Sequence, residues 1–293
     1  MAGLLKELWI GELIKNFRHD QTFLGRIPSA NQFVNNDAIN LAHIGADPTV
    51  LINNNTYPIN SAQREDDTIV ISLDKLETEN TIITDDELYA LPYDKKGSVL
   101  NQHREVLEEF AATRSLHSLC PAAINVSNQP VLRSTGNSNS ETVARRRLTV
   151  NDVIRMKRAL DLLKIPMMGR EMVLNPWHVE DLLMSSEAFK EQWYKKETGK
   201  ILNMFGFEIS EMAYYPVFSQ ASGNKAAFNA VANPADDLAA SVVMYRQRAV
   251  QARGSVTMYY ARAEDDPKYR QSEVGFRLYH VCIPKTALGL ARL

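Results

Sequence analysis

MGREMVLNPWHVEDLL (residues 168–183), followed by TGKILNMFGFEI (residues 198–209), decides how this chain is read. The first stretch places His178, Glu180 and Asp181 beside Trp177, a grouping that in another protein could hold a metal or carry catalysis. The local chemistry points elsewhere. Asn175 is a strong N-cap type, and Pro176 suits the first helical position, where its missing N–H has no partner to lose. Glu180 and Asp181 then fall in the early turns, where the helix dipole favours carboxylates. His178 and Glu180 are two apart, so on a helix they project about 200° from one another and cannot share a metal. His178 and Asp181 can meet, but two ligands without a third do not make a site. The stretch is therefore read as a strand, EMVL, running into a capped helix with Val179, Leu182 and Leu183 turned to a core. GKILNMFGFEI follows as a turn into another strand.

The bulk properties fit this structural view. A chain of 293 residues, 45% hydrophobic and 23% charged, can bury a substantial core in one large or two ordinary domains. A net charge of −2 argues against a dedicated grip on nucleic acid. No window is apolar enough for a membrane span. The opening MAGLLKELWIGELIKNFRHD is amphipathic but interrupted by Lys6, Glu7, Glu12 and Lys15, so it is no signal peptide. Cys120 and Cys282 make neither a metal spacing nor a disulfide framework, and buried thiols in a reducing cytosol are expected. The charge is unevenly spread. From Glu65 to Glu109 thirteen acidic residues face four basic ones, and from Arg114 to Arg170 ten basic residues face three acidic ones. Two solvated faces would give this pattern, and so would a head-to-tail assembly in which one copy's acidic part meets its neighbour's basic part.

Along the chain, residues 1–40 begin as an amphipathic helix and loosen into an arm with Gly25, Pro28 and several Asn. Residues 44–73 are read as a long hairpin: TVLINN, a polar loop NTYPINSAQREDD, then the alternating strand TIVISL. GSVLNQHREVLEEFAATRSLHSL (residues 97–119) predicts a helix with Val99, His103, Val106 and Phe110 on one apolar stripe, flanked by Leu100, Leu107 and Ala111 and stopped by Pro121. His103 on that stripe is read as a core or interface histidine. Residues 125–147 are polar loop or weak strand. Thr149 and Asp152 form a T-x-x-D capping box opening a helix whose Val153, Met156, Leu160 and Leu163 face the core and whose end lies at Lys164. Strands follow at SVVMY, SVTMYYAR and GFRLYHVCIP. Helices and strands without regular βαβ alternation make this an α+β chain.

Chemical motifs are missing. Neither phosphate-cradling glycine pattern occurs, nor H-E-x-x-H, nor G-x-S-x-G. Ser72-Leu-Asp-Lys75 matches S-x-x-K but lacks its companion motifs. Asn54-Asn55-Thr56 would be a glycosylation acceptor only in a secreted chain. Arg145–Arg146–Arg147 could hold phosphate or form a surface or interface. Catalytic, cofactor and metal residues are all expected to be none.

The order of elements resembles the major capsid proteins of tailed bacteriophages, with the Hong Kong 97-type fold. The resemblance is carried by Asn175–Pro176 at the strand-to-helix step, by Gly199, Ile201, Gly206, Phe207 and Ile209 in the turn and strand that follow, and by SVVMYRQRAVQARGSVTMYY near the C-terminus. It implies an N-terminal arm (1–43), an E-loop hairpin (44–72), a peripheral domain with its spine helix (73–120), an axial domain (121–245) and return strands of the peripheral domain (246–293). The function so implied is a structural shell subunit, forming pentamers and hexamers of an icosahedral capsid around double-stranded DNA. It would be assembled in the host cytoplasm and reside in the virion, without a membrane. Assembly contacts are then expected at Trp9 of the arm, at Asn54, Tyr57 and Arg64 of the E-loop, and at Arg145, Arg146 and Arg147. Portal, scaffolding and cement or decoration proteins are the implied partners. No long charged helical extension precedes the arm, so a separate scaffolding protein is expected. Some members weld the shell through an E-loop lysine, and no lysine stands between Lys15 and Lys75, so a non-covalent shell is expected. Two alternatives stand beside this: an encapsulin-like nanocompartment shell, and an enzyme with an unrecognised site.

Overall fold

The computed structural model describes residues 23–35, 38–43, 50, 53–59, 61, 63–65, 67–84, 95–123, 129–138, 145–194, 202–231, 237–265, 268–285 and 290–293. Strands and helices are numbered in chain order. The amphipathic N-terminal segment, with Trp9, lies outside the described residues.

The arm is less loose than its Gly, Pro and Asn content suggests. Phe23, Leu24 and Ile27 are buried, and Gln251 Nε2 donates to the carbonyls of Leu24 (2.8 Å) and Ile27 (3.0 Å). Three short strands follow: β1 (Val34–Asn35), β2 (Ala38–His43) and β3 (Asp67–Ser72). β3 has AINLAH as its antiparallel partner; of the expected strand TVLINN, residues 49, 51 and 52 lie outside the described residues. β2 and β3 pair antiparallel from Ala38↔Ser72 to His43↔Asp67. Residues 38–43 alternate as well as the later stretch does, and Ile39 anchors this one on a cluster with Leu73, Ala252 and Val281. Where described, the loop between the strands is solvent-facing, with Tyr57 74% exposed.

β4 (Asp74–Glu77) and β5 (Thr81–Thr84) precede the long helix α1 (Lys95–Leu119). The buried side of α1 runs through Val99, His103, Leu107, Ala111, Ala112, Leu116 and Leu119. Val106 and Phe110, expected on the stripe, are 52% and 38% exposed. The helix instead turns Leu107, expected on the flank, onto the ribbon against Met258, Phe276 and Leu278. His103 is buried as expected, its Nε2 2.9 Å from Thr81 Oγ1 and its ring tilted against Phe276.

The second half of the fold starts at α2 (Val150–Leu162). The Thr149–Asp152 capping box forms in both directions: Asp152 N–H donates to Thr149 Oγ1 (3.3 Å), and Thr149 N–H donates to Asp152 Oδ2 (3.1 Å). Lys164 ends the turn in the left-handed region, φ 57°. β6 (Arg170–Leu174) is buried along its whole length and leads through Asn175 into α3 (Pro176–Ser185) and α4 (Glu187–Tyr194). β7 (Leu202–Met204) and β8 (Phe207–Glu211) form a tight hairpin. Its two-residue loop, Phe205–Gly206, has φ of 54° and 79°, a geometry in which glycine at the second place costs nothing. β6 and β8 run parallel, with α3 and α4 in the crossover.

β9 (Val217–Ser219) pairs with β10 (Asp237–Ala239). β11 (Val242–Tyr245) then completes the core of a five-stranded sheet ordered β14-β11-β6-β8-β7, where β14 is Leu290–Arg292. Between β11 and β14 the chain leaves this sheet. β12 (Ala249–Ala261) and β13 (Gln271–Pro284) form a long antiparallel ribbon, bulged between Arg253 and Val256, and β4 and β5 pair along β13. α1 packs across this ribbon through Leu107, Ala111, Met258, Phe276 and Leu278.

Asp152 is fully buried and accepts from Thr149, Thr135 and Arg155, so one side chain closes the helix start and pins the preceding loop. Asp152→Ala is expected to lower unfolding stability by about 2–3 kcal/mol, the range for a lost cap plus buried donors left unpaired. Lys157→Ala, which breaks the exposed i, i+4 pair and leaves Asp161 on the buried Arg170, is expected to cost at most about 1 kcal/mol. Urea denaturation of both variants checks this, and equal losses would contradict it.

Candidate assembly interface

The segment around Asn175 is a lock rather than a reaction centre. Asn175 Oδ1 accepts the His178 N–H at 2.8 Å, and the Asn175 N–H donates to Ser241 Oγ at 3.1 Å. His178 Nδ1 lies 2.6 Å from the same hydroxyl. Burial, helped by the Arg145 charge, pulls the imidazole down to about 4, so it is neutral at physiological pH. Asp181 faces the other way. It accepts from the Leu148 N–H (2.8 Å) and from Arg145, which also donates to the Trp177 carbonyl (2.8 Å) and lies over the Trp177 ring. His178 and Asp181 thus hold two different neighbours and do not converge on a common point. Among the described residues no group of three or more His, Cys, Asp and Glu comes together as a metal site.

The arginine triplet divides by direction. Arg145 turns inward onto Asp181, while Arg146 and Arg147 are exposed. Their backbone is fixed: Ser134 Oγ donates to the Arg146 carbonyl (2.7 Å), Arg147 N–H donates to Asn137 O (3.1 Å), and Gly136 N–H donates to Arg147 O (3.1 Å). A Cβ on Gly136 would sit 2.5 Å from that Arg147 carbonyl, so this close approach requires glycine. Arg146, with Arg133 and Arg292, borders a cleft of about 500 Å³ between this loop, β9, β10 and the C-terminal end of β14.

A second ionic group ties the arm to the five-stranded sheet. Glu171 on β6 is fully buried and meets Arg26 at 2.6 Å and Arg246 at 4.0 Å, while Arg246 also pairs with Glu208. Burial pushes the Glu171 carboxyl up to about 7, against the pull of Arg26 and Arg246. Sequence reasoning passed over this group. The signal available was Arg170–Glu171 standing at the head of an otherwise apolar strand, which marks charges that must find partners inside.

No protein-family model matches this sequence, and no curated protein matches it either. Solved structures do. The capsid of the cyanophage P-SCSP1u aligns over 94% of this chain and 88% of its own with a TM-score of 0.65 at 14% identity. That of Ralstonia phage GP4 aligns over 93% and 88%, TM-score 0.66, at 9% identity. A virus-like particle from Pyrococcus furiosus aligns over 99% of both chains, TM-score 0.58, at 11% identity. The chain has the phage-capsid fold of the Hong Kong 97 type.

Within that fold the residues expected at assembly contacts lie apart. Asn54 closes a local turn, exchanging hydrogen bonds with Thr56 N–H and O, both 3.0 Å. Tyr57 and Arg64 are exposed on the hairpin loop. Arg145 is structural, and Arg146 and Arg147 lie on the surface of the other half. Val50 and Ile59 are exposed beside Tyr57 on the hairpin loop, and further exposed apolar side chains lie on α1. Val106 and Phe110 border a groove of about 530 Å³ between α1 and β4. Ser72 is exposed, and Lys75 pairs with Glu77 at 2.9 Å, so the S-x-x-K match has no base aimed at a nucleophile.

Two predictions follow from these ionic groups. Arg145→Ala would strand the buried Asp181 carboxylate and is expected to cost about 3 kcal/mol or more, whereas Arg147→Ala is expected to stay within about 0.5 kcal/mol. Chemical denaturation separates them. Glu171 titrates higher in the folded chain (about 7) than its ordinary 4.5, so the folded state holds the extra proton between those values. Wild-type stability should therefore fall relative to Glu171→Gln as pH rises from about 5 to 7, and level off above. A Tm difference between the two that is flat across this window would show a carboxylate kept ionised by its arginines.

Proposed function

We propose that this chain is the major capsid protein of a tailed bacteriophage, a structural subunit that self-assembles into pentamers and hexamers of an icosahedral shell around double-stranded DNA. The observation that carries this is the agreement of fold along nearly the whole chain with phage capsid subunits, rather than over one common sheet. The exposed side chains suit the role. The loop between β2 and β3 is solvent-facing where described, and the long helix leaves Val106 and Phe110 uncovered, as expected of surfaces awaiting neighbours. A closed ring built from one chain repeats a heterologous contact, which needs two unlike faces. In this reading the acidic stretch from Glu65 to Glu109 and the basic stretch from Arg114 to Arg170 supply them.

In this reading residues 1–43 are the arm and 44–72 the E-loop, with β2 lending the E-loop its first strand. Residues 73–120 and the β12–β13 ribbon form the peripheral domain, with α1 as spine helix. Residues 121–245 form the axial domain, which the final strand β14 rejoins by pairing with β11. The role is structural and non-enzymatic. Assembly would take place in the host cytoplasm with separate scaffolding and portal proteins, and the product would reside in the virion. A second reading, a nanocompartment filled with protein, has the Pyrococcus particle in its favour.

Electron microscopy of the purified protein, with and without a candidate scaffold, is the first test. Rings or closed shells are expected, and a monodisperse monomer under both conditions would overturn the proposal. Shells isolated from infected cells are expected to hold DNA; protein cargo instead would favour the nanocompartment. Mature particles boiled in detergent should release this subunit as a single monomer band, because the hairpin lacks a lysine to cross-link. A ladder of covalent oligomers would contradict this.

A further inference from the structure

The cleft of about 500 Å³ beside β9, β10 and β14 has five arginines among its lining residues and no Asp or Glu side chain. Two of the five are already matched: Arg145 to Asp181 and Arg155 to Asp152. The other three, Arg133, Arg146 and Arg292, have no acidic partner among the described residues. Arg292 is 5% exposed, lies 3.4 Å above the Phe218 ring, donates to the Gly223 carbonyl at 3.1 Å, and leaves its Nη1 without an acceptor. Burial pulls its guanidinium down to about 10, and the charge of nearby Arg133 adds to the pull, yet it stays cationic at neutral pH. Two like charges held together in a half-enclosed, partly apolar cleft are relieved by a carboxylate or similar anion.

The same chain carries a matching segment. TDDELYALPYD (residues 84–94) holds four acidic residues, no basic one, and Leu88, Tyr89 and Leu91 among them. It cannot reach the cleft of its own copy. Thr84 pairs with Gln271, at the end of β13 remote from the five-stranded sheet, whereas the Pro284 end pairs with Ala249 just after β11. Those thirteen steps of strand span about 40 Å, and the ten residues between Thr84 and Lys95 must go out and back, so they reach at most about 17 Å. A DNA duplex would meet the rim arginines but not the recessed Arg292.

We propose that this arginine cleft receives residues 84–94 of a neighbouring copy, their carboxylates on Arg133, Arg146 and Arg292 and their apolar side chains on the wall formed by Phe218 and Leu238. The assignment rests on the shell reading and names one of its head-to-tail contacts.

The test uses unassembled full-length protein and a fluorescent peptide of residues 84–94. Wild type is expected to bind it, with affinity falling at higher salt, and Arg133→Glu/Arg146→Glu to bind it at least about tenfold more weakly. A peptide with Asp85→Lys and Asp86→Lys should lose wild type and regain the reversed variant. In the full chain, the same four substitutions together should restore rings that Arg133→Glu/Arg146→Glu lacks. Peptide that fails to bind, or is displaced equally well by inorganic phosphate or by duplex DNA, would overturn the assignment. Wild-type rings are scored in parallel: rings without peptide binding sink this contact alone, whereas the absence of rings under every condition sinks the shell reading.

Discussion

The fold depends on one apolar joint. The C-terminal end of α1, with Leu116, Leu119 and Cys120, meets the start of β12 at Ala249 and the end of β13 at Cys282. Val242, Met244 and Leu290 of the five-stranded sheet close it, and Phe23 and Leu24 of the arm cover it. Each half has its own core, one under α2 and α3, the other between α1 and the long ribbon. The joint makes them one body, and it sets the direction in which the ribbon and helix leave the sheet. Truncating one of these buried side chains would leave a cavity in the joint and lower stability.

Charges are used inside this body as fasteners. Arg145 on Asp181 ties a polar loop to the start of α3, and Arg26 on Glu171 ties the arm to the central strand. Buried pairs of this kind contribute little net stability but penalise heavily any arrangement that separates them. They therefore fix where the loop and arm lie. A subunit that must present the same faces to several neighbours gains from such fixed placement.

What the sequence revealed follows the range of the interactions. The Asn175–Pro176 helix start and the Thr149–Asp152 box are settled within four residues, and both formed as read. Strand β3 was legible from its alternation, but its partner was not. Both 38–43 and 49–54 are suitable strands by sequence, and Ile39 of the first is held by Leu73 and by Ala252 and Val281, more than two hundred positions away. The stripe on α1 was right in kind and rotated by about one position, because the ribbon it packs on lies outside the helix. Arg145 could not be told from Arg146 and Arg147 by local sequence, since its partner, Asp181, lies thirty-six residues on. Arg133 and Arg292 come together from more than 150 positions apart, and nothing local to either marks it.

Cys120 and Cys282 both sit in the apolar joint, and burial pushes each thiol up to about 12. At neutral pH neither offers a thiolate while the joint is closed. Any reagent that modifies them must wait for the two halves to part, so the rate of thiol capture is a native clock for that opening. Because Cys120 follows directly on α1 and Cys282 lies in β13, their relative rates would tell whether helix or ribbon lets go first. The chain thus carries, without any added label, a reporter of how stiffly its two halves are joined.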